Sequence, residues 1–190
     1  MVLGLALCAW PGGLRAASDD ETAAIRALLA TLAESRQGHV RFSEQLESPL
    51  LKAPLQSTGE LFFSAPDRLE RRTLTPARAD LILEGDIVTM ISGRRRRSFP
   101  LSEYPPLRPL LYGLRATLVG DYATLADNFQ LALQADGGHW TLTLRPPAAA
   151  TAPLFTHILI SGDAGTVSSV TLERQSGERT VTRLSEIPAP

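Results

Sequence analysis

The side chains that could support catalysis or bind a metal ion are scattered along this chain of 190 residues. His39, His139 and His157 lie far apart, and no two of them share a spacing typical of metal ligands. Most aspartates fall at predicted turns, where turn chemistry accounts for them without catalysis. These aspartates are Asp67, Asp86, Asp121, Asp136 and Asp163. We therefore expect histidines that are hydrogen-bonded locally on strands, and no metal site.

Sequence motifs of the common enzyme classes are missing as well. The chain has no Gly-x-Ser-x-Gly elbow, no phosphate-binding loop and no His-Glu-x-x-His pair, and Lys52 is its only lysine. We expect a protein that is not an enzyme and uses no cofactor. An enzyme acting on a lipid stays open only if the fold brings separate histidines or carboxylates together.

The run Arg94, Arg95, Arg96 and Arg97 is the strongest charge signal in the sequence. A strand would place two of these cations on each face, so we expect them on an exposed hairpin or sheet edge. They could be a solvated edge that resists aggregation, or a docking patch for lipid headgroups or an acidic protein. Nucleic acid is disfavoured by the net charge of −1 and the absence of interleaved aromatic residues.

The N-terminus has the pattern of a secretory signal peptide. Residues 2–10 are apolar and uncharged, and they precede Pro11, two glycines and the small pair Ala16-Ala17. This predicts a leader over residues 1–17, followed by one domain over residues 18–190 that is exported and soluble. The basic flank of a leader is absent, so an N-terminal strand or helix is an alternative. Lipidation of Cys8, the only cysteine, is another, although Leu7 departs from the small residue that the lipobox requires.

Three segments have helical periodicity. Ser18 and Glu21 form a capping box, and leucines at helical spacing continue that helix to Ser35 or Arg36, with Gly38 as its terminator. Apolar residues from Leu107 to Leu118 predict a second helix that ends at Gly120. Asp121 is placed to cap a short third helix that ends at Asn128.

The rest of the chain reads as strands that follow one another at intervals of 8 to 12 residues. About eleven strands are expected, in an antiparallel sheet that the helices cover on one face. With 44% apolar and 21% charged residues, the chain can form a full core without disulfides. The predicted bounds include 55–63, 68–75, 79–84, 87–92, 129–136, 139–145, 154–161, 167–174 and 179–185, and one further strand contains Val40, Phe42 and Leu46.

The order of several short motifs resembles the outer-membrane lipoprotein carrier (LolA-type) family. Phe42-Ser43-Glu44 is followed by Ser57-Thr58-Gly59-Glu60-Leu61-Phe62-Phe63 and by Ala65-Pro66-Asp67-Arg68-Leu69. Thr75-Pro76, Leu83-Glu84-Gly85-Asp86 and Asp127-Asn128-Phe129 come next, and residues 138–144 are similar to the Trp-x-Leu-x-Leu strand of the family. The segment Gly165 to Val170 and the segment Gly177 to Thr180 resemble its last hairpin.

This resemblance implies a mainly β (α+β) fold, an unclosed antiparallel β-barrel with about three helices as a lid. It also implies a periplasmic carrier that takes acylated cargo, a lipoprotein or glycolipid, from an inner-membrane exporter to an outer-membrane receptor. Two departures concern the lid. Ala65 stands where well-known carriers have an arginine, and Arg71 and Arg72 occupy the strand where they have tryptophan. Arg68 or Arg71 could replace the missing contact, so we expect a divergent member.

A carrier of this kind needs an apolar lining that holds an acyl chain loosely, at about 0.8 kcal/mol per buried CH₂. The lining is expected to consist of Phe42, Leu61, Phe63, Leu69, Leu83, Met90, Leu110, Leu114 and Trp140. A register error of one residue would reverse this choice on a whole strand. We expect the protein to be a monomer. The alternatives to a carrier are a closed core without a ligand, or an interaction or sensor domain that docks through Arg94 to Arg97.

Overall fold

The computed structural model describes residues 19–35, 37–104, 108–147 and 155–187. Three α-helices are present: α1 (Asp19–Ala33), α2 (Arg108–Val119) and α3 (Tyr122–Asn128). The strands are β1 (Gln37–Glu47), β2 (Leu55–Ser64), β3 (Arg68–Thr75), β4 (Ala79–Glu84), β5 (Ile87–Ser92), β6 (Arg95–Pro100), β7 (Gln130–Asp136), β8 (His139–Arg145), β9 (His157–Asp163), β10 (Thr166–Glu173) and β11 (Arg179–Glu186).

All eleven strands form one antiparallel sheet in the order β6-β5-β4-β3-β2-β1-β11-β10-β9-β8-β7. Paired strands are consecutive in the chain except for β1 and β11, whose pairing joins the two halves of the sheet. The strands β6 and β7 are the two edges, so the sheet is an unclosed barrel, as predicted. The register of β2 and β3 shifts at Thr58/Gly59, where Leu74 is an extra, bulged residue of β3. A Cβ on Gly59 would lie 2.0 Å from the carbonyl oxygen of Arg72.

The three helices lie against one face of the sheet, which we call the inner face. Alternating residues of β8 and β9 point to this face and form a cluster with α1, α2 and α3. Its members are Ile25, Leu29, Leu32, Ala116, Leu125, Phe129, Trp140, Leu142, Leu144, Phe155, Ile158 and Ile160, which we call the first apolar cluster. Glu21 ties α1 to the edge, because its carboxylate accepts a hydrogen bond from the N–H of Leu133 at 3.0 Å.

A second apolar cluster lies at the other end of the sheet, under the N-terminal part of α2. It consists of Leu83, Val88 and Leu101 with the adjacent Leu69, Leu81, Phe99, Leu111 and Tyr112. The Tyr112 hydroxyl donates to Asp86 at 2.8 Å, and Arg115 donates to the carbonyl of Gly85 at 3.0 Å. Because Leu110 and Leu114 pack on the first cluster, α2 bridges the two clusters and the sheet halves that carry them.

The predicted bounds agree with the structure to within one residue except at the first helix and at one strand. The first helix ends at Ala33, and Gly38 is not its terminator but a residue of β1, where it pairs with Phe63. The predicted strand 154–161 is instead His157–Asp163. Asp121 caps α3 as expected, since its side chain accepts from the N–H of Thr124 at 3.0 Å. The predicted leader, with Cys8, and the capping residue Ser18 lie outside the described residues.

Candidate functional site

The strand register places all seven predicted lining residues of the sheet on the inner face. Phe42 pairs with Gly59, two positions before Leu61, while Phe63 pairs with Leu69 and Leu69 with Leu83. Because side chains alternate along each strand, the register also places Met90 of β5 and Trp140 of β8 on this face. With Leu110 and Leu114 from α2, the nine residues therefore share one side of the sheet.

The nine residues differ in burial, and Phe42 on β1 is buried, at 3% exposure. Leu83 is fully buried in the second apolar cluster, while Trp140, Leu110 and Leu114 belong to the first. Met90 is 50% exposed. Leu61, Phe63 and Leu69 are half-buried on the central strands, and Leu69 also packs against the second apolar cluster. We call the inner face of β1, β2, β3 and β11 the central corridor.

A group of polar side chains occupies the middle of this corridor. Arg71 donates to both carboxylate oxygens of Glu44, at 2.7 and 2.9 Å, and its guanidinium lies 4.1 Å from the centre of the Phe42 ring. Two hydroxyl groups also donate to the Glu44 carboxylate, that of Thr182 at 2.7 Å and that of Ser57 at 3.2 Å. This central polar cluster spans four neighbouring strands from β11 to β3, so it fixes their relative positions from the inner side.

The electrostatics of the cluster favour a neutral pair of opposite charges. Burial alone would raise the pKa of Glu44, but the hydrogen bonds from Arg71 and Thr182 outweigh it and hold the pKa below its usual value. Glu44 therefore stays ionised beside Arg71, and the two charges cancel. Within the central polar cluster, each of the two charges therefore has a partner of opposite sign.

The candidate arginines for lid contacts, Arg68 and Arg71, lie on opposite faces of β3. On the outer face, Arg68 donates to Glu70 at 2.8 Å and to Glu84 at 3.1 Å. Burial tends to raise the pKa of Glu70, and hydrogen bonds from two flanking arginines lower it further than burial raises it. The polar partners of Arg71 described above are all sheet residues. Among the described residues, neither arginine forms a hydrogen bond with a helix residue.

The three histidines lie on separate strands, each next to one carboxylate. His39 pairs with Glu60 at 3.3 Å and His157 with Glu173 at 3.3 Å, and His139 contacts Asp163. Within the described ranges, no three histidine, cysteine or acidic side chains converge on a common point that could hold a metal ion. Each of these histidines therefore has one carboxylate neighbour on an adjacent strand.

The arginine run lies at an edge of the sheet. Arg94 is in the turn after β5, and Arg95 to Arg97 begin the edge strand β6, with all four side chains exposed. None of the four makes an ion pair within the described part of the chain. Their place matches the expected exposed edge, and their role as a docking patch stays a prediction.

The structure shows a pocket of about 470 Å³ that none of the nine predicted lining residues lines. It lies at the end of β3, β4 and β5, and its walls are Arg72, Thr73, Leu74, Arg78, Ala79, Asp80, Ile91 and Gly93. Because adjacent residues of a strand face opposite sides, this pocket wraps around the end of the sheet rather than lying within the corridor. The acyl-lining role of the nine residues stays a prediction.

Sequence reasoning did not foresee the role of Glu44. A signal was present, because Glu44 interrupts the inward alternation of Val40, Phe42 and Leu46, as Arg71 interrupts that of β3 after Leu69. Opposite charges at inward positions of two nearby strands predict a pair, since neither can be buried alone at low cost.

A family model described as outer membrane lipoprotein carrier protein LolA-like matches residues 16–187. The chain belongs to this LolA-like family. The resemblance found in the sequence is thereby confirmed, and this LolA-like protein has the predicted fold class. No helix among its described residues is long and apolar enough to cross a membrane.

Several solved structures are similar to this LolA-like protein at low identity, and no curated protein sequence matches it. A LolA superfamily protein of Nitrosomonas europaea is 11% identical with a TM-score of 0.48, and the match covers 87% of this chain and 94% of that one. MucB in the MucA/MucB complex of Pseudomonas aeruginosa is 17% identical with a TM-score of 0.46, covering 87% and 59%. Mycobacterium tuberculosis lipoprotein LppX is 12% identical with a TM-score of 0.39, covering 91% and 99%.

Proposed function

We propose that this protein is an exported, soluble periplasmic carrier that shields the acyl chains of a lipoprotein or another lipid between the inner and the outer membrane. The observation that carries the proposal is the central corridor, where Leu61, Phe63 and Leu69 present accessible apolar surface between two packed clusters. Membership of a family described by lipoprotein carriage supports it. An exporter and a receptor are the protein partners that such a cycle requires.

The paired charges of the corridor suit this task. An acyl chain gains about 0.8 kcal/mol for each CH₂ group removed from water, whereas an unpaired charge along its path would weaken binding. Glu44 and Arg71 form an ion pair, so together they place no net charge beside the apolar side chains of the corridor. Transfer involves no bond making or breaking, so the function needs neither a catalytic residue nor a cofactor.

Two consecutive phenylalanines of β2 provide a matched test. Phe63 faces the corridor, while Phe62 lies on the outer face, where it stacks on His39 at 4.0 Å between ring centroids. Loss of the Phe63 ring should remove the equivalent of two methylene contacts, about 1.6 kcal/mol, and weaken binding of a fluorescent fatty acid about tenfold. We expect Phe63→Ser to show this loss and Phe62→Ser to bind within about twofold of wild type.

Stability must be measured beside affinity, since both rings are half-buried. Thermal melts followed by circular dichroism report whether each variant is folded at the assay temperature. Equal losses of affinity in the two folded variants would refute a binding site on the inner face. Absence of fatty-acid binding by the wild-type protein would refute the carrier function itself.

A second function, an interaction or envelope-sensing domain without cargo, is favoured by the exposed and unpaired arginines 94–97. In that case replacing all four by Ser abolishes capture of a protein partner from an envelope extract, and fatty-acid binding is absent in both proteins. In the carrier, the same variant keeps its affinity for the fatty acid, because the substitutions lie on the edge strand outside the corridor.

A further inference from the structure

Exposed leucines gather at one end of the sheet, in and around the loop between β1 and β2. Leu50 is 91% exposed, Leu55 is 55% exposed and Leu51 is 36% exposed. Leu74, at the end of β3, is 46% exposed and lies at the same end, because Thr75 is opposite Thr58 near the start of β2. Four of the seven large exposed apolar residues of the described chain therefore share this end. We call it the leucine end.

The loop that carries Leu50 and Leu51 is held in place rather than trailing. The N–H of Leu51 donates to the carbonyl of Ser48 at 3.0 Å, and the N–H of Leu50 donates to the Ser48 hydroxyl at 3.3 Å. A Cβ on Gly177 would lie 3.2 Å from Pro49, so the loop rests against the turn between β10 and β11. Two leucines that a fixed loop exposes to water bury little apolar surface in the fold, and exposed apolar patches of this kind mark interaction sites.

Unpaired cations also lie at the leucine end. Lys52 is in the loop, Arg78 precedes β4, Arg94 is in the turn before β6 and Arg95 begins β6. All four are exposed, and none of them makes an ion pair with a described residue. From β2 to β6 the leucine end is about 20 Å wide, which is four strand spacings.

The acidic side chains near this end are fewer than the cations. Glu173 and Glu178 are paired with Arg179 and Arg174. Asp80 and Glu47 remain against the four cations, so the leucine end carries a local positive excess.

We propose that the leucine end docks this protein on the surface of a bilayer that contains anionic phospholipids, with Leu50 and Leu51 inserted among the headgroups and acyl chains. Leucines supply the apolar part of such an interfacial contact, and the flanking cations supply attraction to phosphate. The loop joins β1 and β2, two strands of the corridor. Docking brings this end of the two strands to the lipid surface, and it does not depend on the protein carrying a lipid.

Vesicle flotation tests the docking with the full chain. Wild-type protein should float with vesicles of phosphatidylethanolamine and phosphatidylglycerol more than with vesicles of phosphatidylcholine alone. The double variant Leu50→Ser/Leu51→Ser should lower its partition coefficient for the anionic vesicles about tenfold or more. Ile87→Ser is the matched control, because Ile87, the first residue of β5, is 46% exposed at the opposite end of the sheet. This variant should bind the vesicles as wild type does. Equal flotation of the double variant and wild type, or no flotation of wild type, would overturn the proposal.

A local probe separates this contact from any contribution of residues 1–17, which all variants share. In a Cys8→Ser background, an NBD fluorophore is attached to Leu50→Cys or to Ile87→Cys. We expect the emission at position 50 to rise and shift to shorter wavelength with anionic vesicles, and that at position 87 to stay unchanged. Immersion at position 87, or at neither position, contradicts the docking geometry. Fatty-acid binding measured without vesicles tests the carrier function independently.

Discussion

Breaking the pair of Glu44 and Arg71 is the perturbation that tests most sharply how the corridor is built. The two side chains are 18% and 29% exposed, so the pair lies between a surface salt bridge, worth about 0–1 kcal/mol, and a fully buried one. Two charge-assisted hydrogen bonds of 2.7 and 2.9 Å join them. Arg71→Gln leaves the carboxylate half-buried with only hydroxyl donors, and we expect a loss of about 2 kcal/mol, a fall in Tm of about 4–8 °C.

A double-mutant cycle isolates the pair itself. Glu44→Gln should cost about 1.5 kcal/mol, because Arg71 keeps its contact with the Phe42 ring. The double variant should cost little more than the worse single variant, which corresponds to a coupling of about 1.5 kcal/mol. Urea unfolding at neutral pH, followed by circular dichroism, gives the three values. Additive losses, or a loss below about 0.5 kcal/mol for Arg71→Gln, would refute a stabilising pair.

The same pair predicts a pH dependence. The pKa of Glu44 is below its ordinary value of 4.5 in the folded protein, so the stability that the pair supplies is present above that value. It is lost as the pH falls below about 4.5 toward the lowered pKa. Arg71→Gln removes the charge and hydrogen bonds of Arg71, so burial is opposed by fewer groups and the pKa of Glu44 is higher than in wild type. The difference in unfolding free energy between wild type and this variant should therefore shrink from pH 7 to pH 4; an unchanged difference would contradict the assignment.

Three further predictions concern the scaffold. Leu142→Ala empties a fully buried position of the first apolar cluster and should lower the unfolding free energy by about 3 kcal/mol in urea titrations. Asp121→Ala removes the cap of α3 and should cost about 1 kcal/mol at neutral pH; hydrogen bonds from Thr124 hold the pKa of Asp121 below its usual 3.8, so this cost should fade as the pH drops below that value. Gly162→Val should prevent the soluble fold, since a Cβ there would lie 2.5 Å from the Trp140 ring, whereas Gly38→Ala, with its nearest neighbour at 3.9 Å, should express normally.

The strands were predictable where turn residues mark both ends. The predicted ranges 68–75, 79–84, 87–92 and 139–145 coincide with β3, β4, β5 and β8 because glycine, proline and aspartate interrupt the alternation at the turns between them. The predicted start of β9 was too early because Phe155 is apolar for another reason: it is fully buried but precedes the strand. The first helix ends earlier than its periodicity implies because residues from Gln37 onward pair with β2.

The parity of the lining residues was predictable, but their burial was not. Alternation fixes which residues share a face, and it placed Phe63 and Leu83 correctly on one side. Only the packing of α2 decides that Leu83 is covered and that Phe63 stays accessible. The pairing of Glu44 with Arg71 also depends on the sheet order, because the Arg71 side chain must cross β2 to reach Glu44 on β1.

Photo-crosslinking with a diazirine fatty acid tests the central claim most directly, because it reports where an acyl chain lies on the folded protein. The protein is irradiated with the probe, and peptide mass spectrometry locates the adducts. We predict adducts on the central corridor, at Leu61, Phe63 and Leu69, that an unlabelled fatty acid suppresses. Adducts confined to the outer face, to the loop with Leu50 and Leu51, or absent altogether would contradict a carrier whose cargo lies on the inner face.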